Sequence, residues 1–395
     1  MNNKTKQKIA KKIVFVGMSG GVDSSVSAAI LKKKGYDVVG VFIRTWHPDF
    51  IECNEEEEKR DAMRVCAYLD IPFVLLDLED VYKKKVADYM ISEYKLGRTP
   101  NPDIMCNSEV KFGAFLDFAI SKGADYVATG HYAEIYPHLT SPYLGGGSQK
   151  SFLVGGGMYL KKSPDPTKDQ SYFLYKLTQE QLSTILFPIG HLYKKQVRGL
   201  ARKYKLPVAE KKDSQGICFL GEIDLKDFLK HYIEEKRGEV KNEKGEVIGH
   251  HDGVVFITLG ARHGFTITVK TPDDKPYYVV AKDVQKNILH VSQKKNLKNS
   301  PAFALGGKKT GDQRLLNFSN SSLRLTNCNW ISETPQEKQN YTAQIRYHGE
   351  FLPCQIKNIK GATSEIIFKN PQLIAPGQSV VLYYGDTVLG GGVVQ

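Results

Sequence analysis

Two patterns of hydrophobic and polar residues alternate along the first third of the chain. Short runs of β-branched and aromatic residues predict buried strands, and longer amphipathic stretches between them predict helices. The strands are predicted at residues 13–16, 38–43, 71–76 and 126–129, and the helices at residues 55–69, 81–94 and 108–121. Strand and helix alternation of this kind predicts an α/β fold in which a parallel sheet carries helices on both faces.

The pattern changes at about residue 238, where short apolar runs are separated by Gly, Pro, Asn and Asp. Strands are predicted at residues 254–259, 277–281, 288–291, 341–347, 364–368 and 379–384. This pattern favours an all-β unit, such as a small barrel. We therefore expect three domains, at residues 1–215, 216–285 and 286–395. Residues 137–157, with two Gly-Gly-Gly triplets, are predicted to be a loop that carries no readable chemistry.

The first predicted strand runs into a glycine turn and then a helix start. This loop is Gly17-Met18-Ser19-Gly20-Gly21-Val22-Asp23-Ser24-Ser25. The N–H groups at the helix start lack intrahelical partners, and Gly20 and Gly21 leave room for a phosphate to approach. A carboxylate at Asp23 would then act on the phosphates through a magnesium ion. The alternative is an ordinary strand-to-helix turn that holds no ligand.

The charge and the cysteines limit the classes of function. The 55 Lys and Arg against 43 Asp and Glu give a net charge of +12, and residues 286–395 hold 13 of the former and six of the latter. This surplus favours a polyanionic partner, although a lysine-rich coding bias would give the same number. The six cysteines form no CxxC pair, which argues against a disulfide scaffold or zinc ribbon and favours a reducing cytosol. We expect no membrane segment.

Two of the cysteines have polar neighbours, which are more typical of a reactive site than of a hydrophobic core. Cys106 follows two prolines and comes before a predicted helix, whose free N–H groups would stabilise its thiolate. Cys218 follows two lysines and a glycine turn. Taken singly, each thiol is more often a small buried hydrophobic residue than a catalytic group, and this explanation suits Cys66, Cys328 and Cys354.

The loop resembles the Ser-Gly-Gly-x-Asp-Ser loop of enzymes that split ATP into AMP and pyrophosphate. Further motifs extend the resemblance to the tRNA-specific 2-thiouridylase family, from residue 17 to the end of the chain. They are Asn101-Pro102-Asp103-x-x-Cys106-Asn107, Thr129-Gly130-His131-Tyr132-Ala133, Lys168-Asp169-Gln170-Ser171-Tyr172-Phe173-Leu174, Asp213-Ser214-Gln215-Gly216-Ile217-Cys218-Phe219, and the stretch from Pro376-Gly377-Gln378 to Leu389-Gly390-Gly391-Gly392.

The resemblance implies that sulfur replaces the 2-oxygen of the wobble uridine in the lysine, glutamate and glutamine tRNAs. ATP would adenylate that oxygen, and a persulfide would then attack C2. Cys218 resembles the persulfide carrier, and Cys106 resembles the nucleophile that frees the sulfur or forms a disulfide with Cys218. Asp103 resembles the acid or base beside the target base, which Asn101 and Pro102 also contact.

The remaining assignments concern the nucleotide, the tRNA and the partners. We expect ATP and magnesium at Gly17, Met18, Ser19, Gly20, Gly21, Val22, Asp23, Ser24, Ile43 and Gly130, with Asp23 as the metal ligand. The resemblance implies tRNA contacts at His131, Lys168, Asp169, Gln170, Arg346, Tyr347 and Gln378. A cysteine desulfurase or a sulfur-relay protein would supply sulfur to a cytoplasmic monomer. The chain departs from the family at Ile43, where methionine is usual, and at residues 256–264.

Three other functions fit parts of the sequence. An ATP pyrophosphatase acting on a small molecule would leave both cysteines incidental, and a tRNA-binding protein without activity would have a decayed loop. A sulfur carrier that only passes persulfide onward would need no ATP site. Retention of product formation by Cys218→Ala would favour the first of these.

Overall fold

The computed structural model describes residues 11–51, 54–137, 157–213, 224–269, 275–293 and 319–395. The chain divides into two compact units, one formed by residues 1–83 and 106–221 and the other by residues 84–105 and 222–395. Within the described residues, no helix is both long enough and apolar enough to cross a membrane. The predicted loop at 137–157 lies outside these ranges apart from its two end residues.

The helices of the described residues belong to both units, and α4, α5 and α9 belong to the second. In chain order they are α1 (Val22–Lys33), α2 (Glu55–Tyr68), α3 (Glu79–Tyr82), α4 (Asp88–Lys95), α5 (Pro102–Met105), α6 (Phe115–Ser121), α7 (Gln179–Thr184), α8 (Lys194–Lys203) and α9 (Leu225–Lys230). Two π-helical segments, Lys83–Ala87 and Cys106–Ala114, precede α4 and α6, and the 3-10 helices are Ser171–Leu174 and Val254–Phe256.

The first unit is built on a parallel sheet. Its strands are β1 (Ile13–Gly17), β2 (Asp37–Arg44), β3 (Phe73–Asp77), β4 (Tyr126–Ala128) and β7 (Ile185–Leu186), in the order β3-β2-β1-β4-β7, while β5 (Ala133–Pro137) and β6 (Met158–Lys162) form an antiparallel hairpin. Side chains alternate across the sheet, so Val14 and Val16 pack with α1 and α2, whereas the ring of Phe15 meets that of Phe118 on α6 at 6.3 Å. The predicted parallel sheet with helices on both faces is confirmed.

The second unit contains two further sheets. The strands of the first are β8 (Gly238–Lys241), β9 (Val247–His251), β10 (Phe265–Ile267), β11 (Tyr278–Asp283) and β12 (Ile288–Ser292), in the order β10-β9-β8-β12-β11. Its buried side chains include Val240, Val279, Leu289 and Val291. This sheet is antiparallel except where β12 runs parallel to β8.

The last part of the chain forms an antiparallel barrel, as predicted. Its strands are β13 (Ser319–Trp330), β14 (Tyr341–Gln344), β15 (Leu352–Lys360), β16 (Thr363–Leu373), β17 (Ser379–Tyr384) and β18 (Thr387–Val394). Their order is β13-β16-β15-β14-β17-β18, and β13 also pairs with β18. That last pairing closes the barrel, so these strands have no free edge.

The predicted strand at residues 254–259 is wrong. The chain forms a 3-10 helix at Val254–Phe256 instead, after Gly253 with φ of +151°. Val254 donates its N–H to Oδ1 of Asn287 at 3.1 Å, and the buried ammonium of Lys282 donates to the carbonyl of Ile257 at 2.6 Å. Side chains therefore satisfy the backbone groups of this buried apolar run without a neighbouring strand.

Candidate active site

Glycines fix the shape of the loop between β1 and α1. Gly20 has φ of +70°, and a Cβ there would collide with the backbone carbonyl of Glu58 on α2. Gly130, two residues after β4, lies so close to the start of α1 that a Cβ would be 2.8 Å from the nitrogen of Ser24. Residues other than glycine would push the loop away from its neighbours at both positions. The loop and the Gly130 turn, which were both assigned to ATP, therefore lie side by side.

The start of α1 has no side-chain cap. Gly21 occupies the N-cap position without a capping hydrogen bond from a side chain. The hydroxyls of Ser24 and Ser25 donate to the carbonyl of Gly21, at 3.2 and 2.7 Å. The N–H groups of the first helical turn lie at the positive end of the helix dipole and have no intrahelical acceptors. This helix start fits the phosphates of a nucleotide.

Asp23 faces a lysine that the sequence analysis did not single out. The Nζ atom of Lys194, at the start of α8, lies 2.7 and 2.8 Å from the two carboxylate oxygens of Asp23. The hydroxyl of Tyr132 also donates to Oδ1 of Asp23, at 2.9 Å. Burial raises the pKa of Tyr132, and the negative charge of Asp23 raises it further. The hydroxyl therefore stays protonated and remains a donor.

Lys194 also links Asp23 to Asp213. Its Nζ atom lies 2.8 Å from Oδ1 of Asp213, and Asp213 accepts from Lys168 at 2.8 Å and from Arg198 at 2.7 Å. Burial would raise the pKa of Asp213, but the hydrogen bonds from Lys168 and Lys194 lower it to about 2. We call these five residues the charged network. It connects the loop with Lys168, for which a tRNA contact is predicted.

The two residues after Lys168 have structural partners. Asp169 accepts from the N–H groups of Ser163 and Ser171, at 3.0 and 3.2 Å, and Oε1 of Gln170 accepts from the N–H of Tyr132 at 3.0 Å. These contacts fix the turn that precedes the 3-10 helix at Ser171–Leu174. All three side chains are partly exposed, so the structural role and the predicted tRNA-binding role are compatible.

His131 lies in an aromatic pocket of the first unit. Its Nδ1 lies 2.7 Å from the hydroxyl of Thr129, and its ring packs between those of Phe112 and Phe187, with centroids 5.7 Å away in each case. Burial lowers the pKa of His131 well below its ordinary value, and the charge of Lys111 adds to this. The imidazole is therefore neutral, which makes it unsuited to pairing with phosphate as a cation.

Cys106 differs from the expectation in two ways. The helix was expected to begin after the thiol, but it begins at Pro102, and Cys106 opens the π-helical segment Cys106–Ala114. The side chain is also buried, with 2% exposure. The helix begins six residues earlier than the predicted start at residue 108 because Asn101 caps it, and the Oδ1 of Asn101 accepts from the N–H groups of Asp103 and Ile104 at 3.1 and 3.2 Å.

The π-helical segment is held by contacts within the first unit. Nε2 of Gln181 donates to the carbonyl of Phe112 at 2.7 Å, and Nδ2 of Asn107 donates to the carbonyl of Phe173 at 3.4 Å. π-Helical turns occur frequently at functional sites. The partner predicted for Cys106, Cys218, lies outside the described residues.

The other cysteines among the described residues fit a structural role. Burial raises the pKa of the Cys66 thiol to about 11 and that of Cys354 to about 12. Burial also raises the pKa of Cys328, whose Sγ lies 3.2 Å from the hydroxyl of Ser364. These thiols are protonated at neutral pH and are poor nucleophiles.

The second unit holds the other predicted contacts. Asn101 is the N-cap and Pro102 the first residue of α5, so both have a structural role in presenting Asp103. Arg346 and Tyr347 lie in the turn after β14, not on the strand predicted through residue 347, because the N–H of Gly349 donates to the carbonyl of Arg346 at 2.9 Å. Arg346 is exposed.

Gln378 lies in a tight turn before β17. Its Oε1 accepts from the N–H of Ala375 at 2.9 Å, and its own N–H donates to the carbonyl of Ala375 at 3.2 Å. The side chain is half-buried, and Nε2 is the end of the amide that this contact does not use. The turn thus fixes the orientation of the amide that the resemblance assigns to tRNA.

Comparison with known proteins agrees with the resemblance. Residues 12–222 match the tRNA methyl transferase HUP domain, residues 226–293 match the tRNA methyl transferase PRC-barrel domain, and residues 320–394 match the aminomethyltransferase β-barrel domain. The tRNA-specific 2-thiouridylase MnmA of Nitrosomonas europaea is 42% identical over 97% of this chain and 98% of its own. The chain belongs to the tRNA-specific 2-thiouridylase family.

Further relatives support this membership in the 2-thiouridylase family. The tRNA-specific 2-thiouridylase MnmA of Geobacillus thermodenitrificans is 42% identical over 96% of this chain and 94% of its own. The solved U34-tRNA thiolase NcsA of Methanococcus maripaludis is a distant likeness, with 18% identity over 56% of this chain and 67% of that one, and a TM-score of 0.32. That likeness carries no conclusion about function.

Within this family framework, the structure adds residues that the sequence analysis missed. Lys194 joins Asp23 to Asp213, Tyr132 donates to Asp23, Arg198 donates to Asp213, and Gln181 supports the π-helical segment. Lys194 lies among the several lysines and arginines of α8, and its spacing does not distinguish it from them. Gln181 also closes a capping box with Thr178 at the start of α7. Its hydrogen bond to the carbonyl of Phe112 leaves no signal in the sequence.

Proposed function

We propose that this protein is an ATP-dependent tRNA-uridine 2-sulfurtransferase that converts the wobble uridine of the lysine, glutamate and glutamine tRNAs to 2-thiouridine. The observation that carries the proposal is 42% identity to a tRNA-specific 2-thiouridylase along nearly the whole of both chains. The geometry of the loop between β1 and α1 supports the use of ATP.

ATP binds with its phosphates at the uncapped start of α1. The N–H groups of this first turn neutralise phosphate charge, and the 2-oxygen of the uridine attacks the α-phosphorus, so that pyrophosphate leaves and the oxygen carries AMP. An amide oxygen is a poor leaving group, whereas AMP is a good one. Ile43, half-buried near the end of β2, offers an apolar surface to the adenine.

Magnesium fits this site as an ion held mainly by phosphate oxygens. Among the described residues, no group of three or more His, Cys, Asp and Glu side chains could hold a metal ion. Asp23 supplies a single carboxylate, which Lys194 contacts at both oxygens. Magnesium commonly takes one or two carboxylates together with substrate phosphates. When bound, the ion supplies positive charge to the phosphates.

Sulfur transfer uses the two cysteines that the resemblance assigns. The terminal sulfur of a persulfide on Cys218 attacks C2 of the adenylated uridine, and AMP leaves with the former 2-oxygen. The thiolate of Cys106 then attacks Sγ of Cys218, which breaks the S–S bond, releases the 2-thiouridine and forms a Cys106–Cys218 disulfide. A cellular thiol reductant reopens the disulfide, and a cysteine desulfurase or sulfur-relay protein reloads Cys218 in the cytoplasm. The enzyme acts as a monomer.

Asp103 exchanges protons with the target base. It stands in the first turn of α5, where the cap at Asn101 fixes its backbone. In the first unit the tRNA is held by Lys168, Asp169 and Gln170, and by His131 acting as a neutral ring rather than as a cation. In the second unit, Arg346, Tyr347 and Gln378 bind it.

Mass spectrometry of the wobble uridine tests the proposal. Unmodified tRNA is incubated with the protein, ATP, magnesium, cysteine and a cysteine desulfurase, and the nucleosides are then separated. The wild type is expected to form 2-thiouridine only when ATP is present. Cys106→Ala and Cys218→Ala are expected to form none, whereas Cys328→Ser, a change at a structural thiol, retains activity. An unthiolated uridine with the wild type, or full activity of both alanine variants, contradicts the proposal.

A further inference from the structure

Residues 97–99, which we call the strap, lead directly into the helix start that carries Asp103. The N–H of Thr99 donates to the carbonyl of Pro376 at 2.7 Å. A Cβ on Gly377 would lie 3.0 Å from the nitrogen of Thr99 and 3.1 Å from Cβ of Arg98. The strap therefore lies against the Pro376-Gly377 backbone with no room for a side chain between them.

The strap is also fixed by three other contacts within the second unit. The hydroxyl of Thr99 lies 3.3 Å from that of Thr258, and Gly97, with φ of +74°, packs against the side chain of Val284. Arg98 forms a salt bridge with Glu93 on α4, with Nε 2.7 Å from Oε2. The barrel and the preceding sheet region thus both hold this short segment.

The chain from Thr99 to Asp103 is stiff. Pro100 and Pro102 fix their own φ angles, and each restricts the residue before it. Thr99 and Asn101 are those preceding residues, so four consecutive residues have little conformational freedom. A shift of the strap is therefore passed on to the N-cap and to Asp103, because there is little backbone freedom in between to absorb it.

The turn on the other side of the contact is equally constrained. The N–H of Gly377 donates to the carbonyl of Val394, and the N–H of Val394 donates to the carbonyl of Gln378, both at 2.9 Å. The side chain of Gln378 bonds back to Ala375. The turn thus joins the amide of Gln378 and the strap through a single rigid piece of backbone at the end of β18.

We propose that Thr99 and Gly377 are positioning residues, which set Asp103 in place relative to the turn that carries Gln378. The inference rests on the proposed function, in which Gln378 binds tRNA and Asp103 acts on the base. The contact keeps Asp103 at a fixed distance and orientation from the amide of Gln378. Binding of the tRNA to Gln378 therefore places the wobble uridine next to Asp103. Misplacement of a catalytic group by about 1 Å is enough to cost on the order of 100-fold in rate.

Gly377→Ala tests the inference, with Gly361→Ala as the matched control. Both glycines have positive φ, +86° and +55°, but a Cβ on Gly361 has nothing within 4 Å. Both variants thus carry backbone strain in the same unit, and only Gly377→Ala presses on the strap. We expect its single-turnover rate of 2-thiouridine formation at saturating tRNA to fall by about tenfold or more, while the Kd for tRNA changes by less than about twofold.

Thr99→Val and Thr99→Ser decide the question if Gly377→Ala does not fold. Valine keeps the shape and the N–H but loses the hydroxyl contact with Thr258, whereas serine keeps both groups. The rate is expected to fall for Thr99→Val and to be retained for Thr99→Ser, again at unchanged tRNA affinity. Equal rates for Gly377→Ala and Gly361→Ala overturn the inference. If Gly377→Ala does not fold, a wild-type rate for Thr99→Val overturns it. A loss that follows tRNA affinity alone also overturns it. Absence of 2-thiouridine with the wild type instead removes the proposed function itself.

Discussion

Lys194 is the residue on which the charged network depends most. Its side chain is 14% exposed and neutralises both Asp23 and Asp213. We expect Lys194→Met to remove the ammonium that these two carboxylates share and to lower the free energy of unfolding by about 2 to 3 kcal/mol, less than a fully buried pair would lose. ATP-dependent thiolation is expected to fall as well, because the carboxylates then repel the phosphates.

Urea unfolding and the thiolation assay measure the two effects. Lys195→Met is the control, since Lys195 is the next residue of α8 and is exposed. The control is expected to change the free energy of unfolding by less than about 0.5 kcal/mol. Equal effects of the two substitutions would show that the network has no special role.

Asp213 makes the stability sensitive to acid. Its folded-state pKa of about 2 lies below the ordinary value of 3.8, so the unfolded state binds the proton more readily. The stabilisation is therefore complete above about pH 5 and is lost as the pH falls from about 4 to about 2, and it amounts to about 2 kcal/mol. Asp213→Asn is expected to reduce the slope of unfolding free energy against pH in that window. Urea unfolding at several pH values measures this slope, and an unchanged slope would contradict the assignment.

At the scale of elements, the sequence predicted the parallel sheet well, because strands covered on both faces are short continuous apolar runs and the helices between them show a 3.6-residue pattern. It missed β18, since Gly390-Gly391-Gly392 has little preference for strands. The structure supplies the reason for these glycines: a Cβ on Gly392 would lie 2.7 Å from Sγ of Cys328, at the point where β13 and β18 close the barrel. This tertiary requirement leaves no local signal.

The helix around Cys106 also depends on contacts that leave no local signal in the sequence. The sequence predicted a helix at residues 108–121, but not its earlier start at Pro102 or its π-helical turn. The cap at Asn101 was visible only as part of a family motif. A π-helical turn depends on which carbonyls find outside donors, as Phe112 does from Gln181, and such partners come from distant parts of the chain.

Gln181→Glu tests this support for the π-helical segment. Glutamate keeps an oxygen that accepts from the N–H of Thr178, so the capping box survives, but it has no N–H for the carbonyl of Phe112. The loss is expected to cost about 1 to 3 kcal/mol and to loosen the segment, so that Cys106 reacts faster with iodoacetamide. Alkylation followed by peptide mass spectrometry measures this rate. Glu180→Gln, at an exposed position of the same helix, is expected to leave it unchanged.

At the scale of the whole molecule, the family match covers nearly all of the chain, and the three matched segments follow one another in order. The domain limits predicted at 215/216 and 285/286 stay predictions. The joint occurrence of several motifs could be recognised from sequence because each one has a fixed local spacing. The charged network could not, because Asp23, Lys194 and Asp213 are far apart in sequence and meet only in the folded unit.

The net charge of +12 leads to a prediction about tRNA binding. If an exposed Arg346 pairs with a phosphate, then Arg346→Met releases one fewer counterion on binding. The plot of log K against log salt concentration is then expected to have a slope smaller in magnitude by about 1. Arg324→Met is the matched control, because Arg324 is also an exposed arginine of the barrel but is not among the residues assigned to tRNA. Fluorescence titrations of labelled tRNA at several salt concentrations measure both slopes. If the two variants change the slope equally, the charge of the barrel acts on tRNA as a diffuse field rather than through a contact at Arg346.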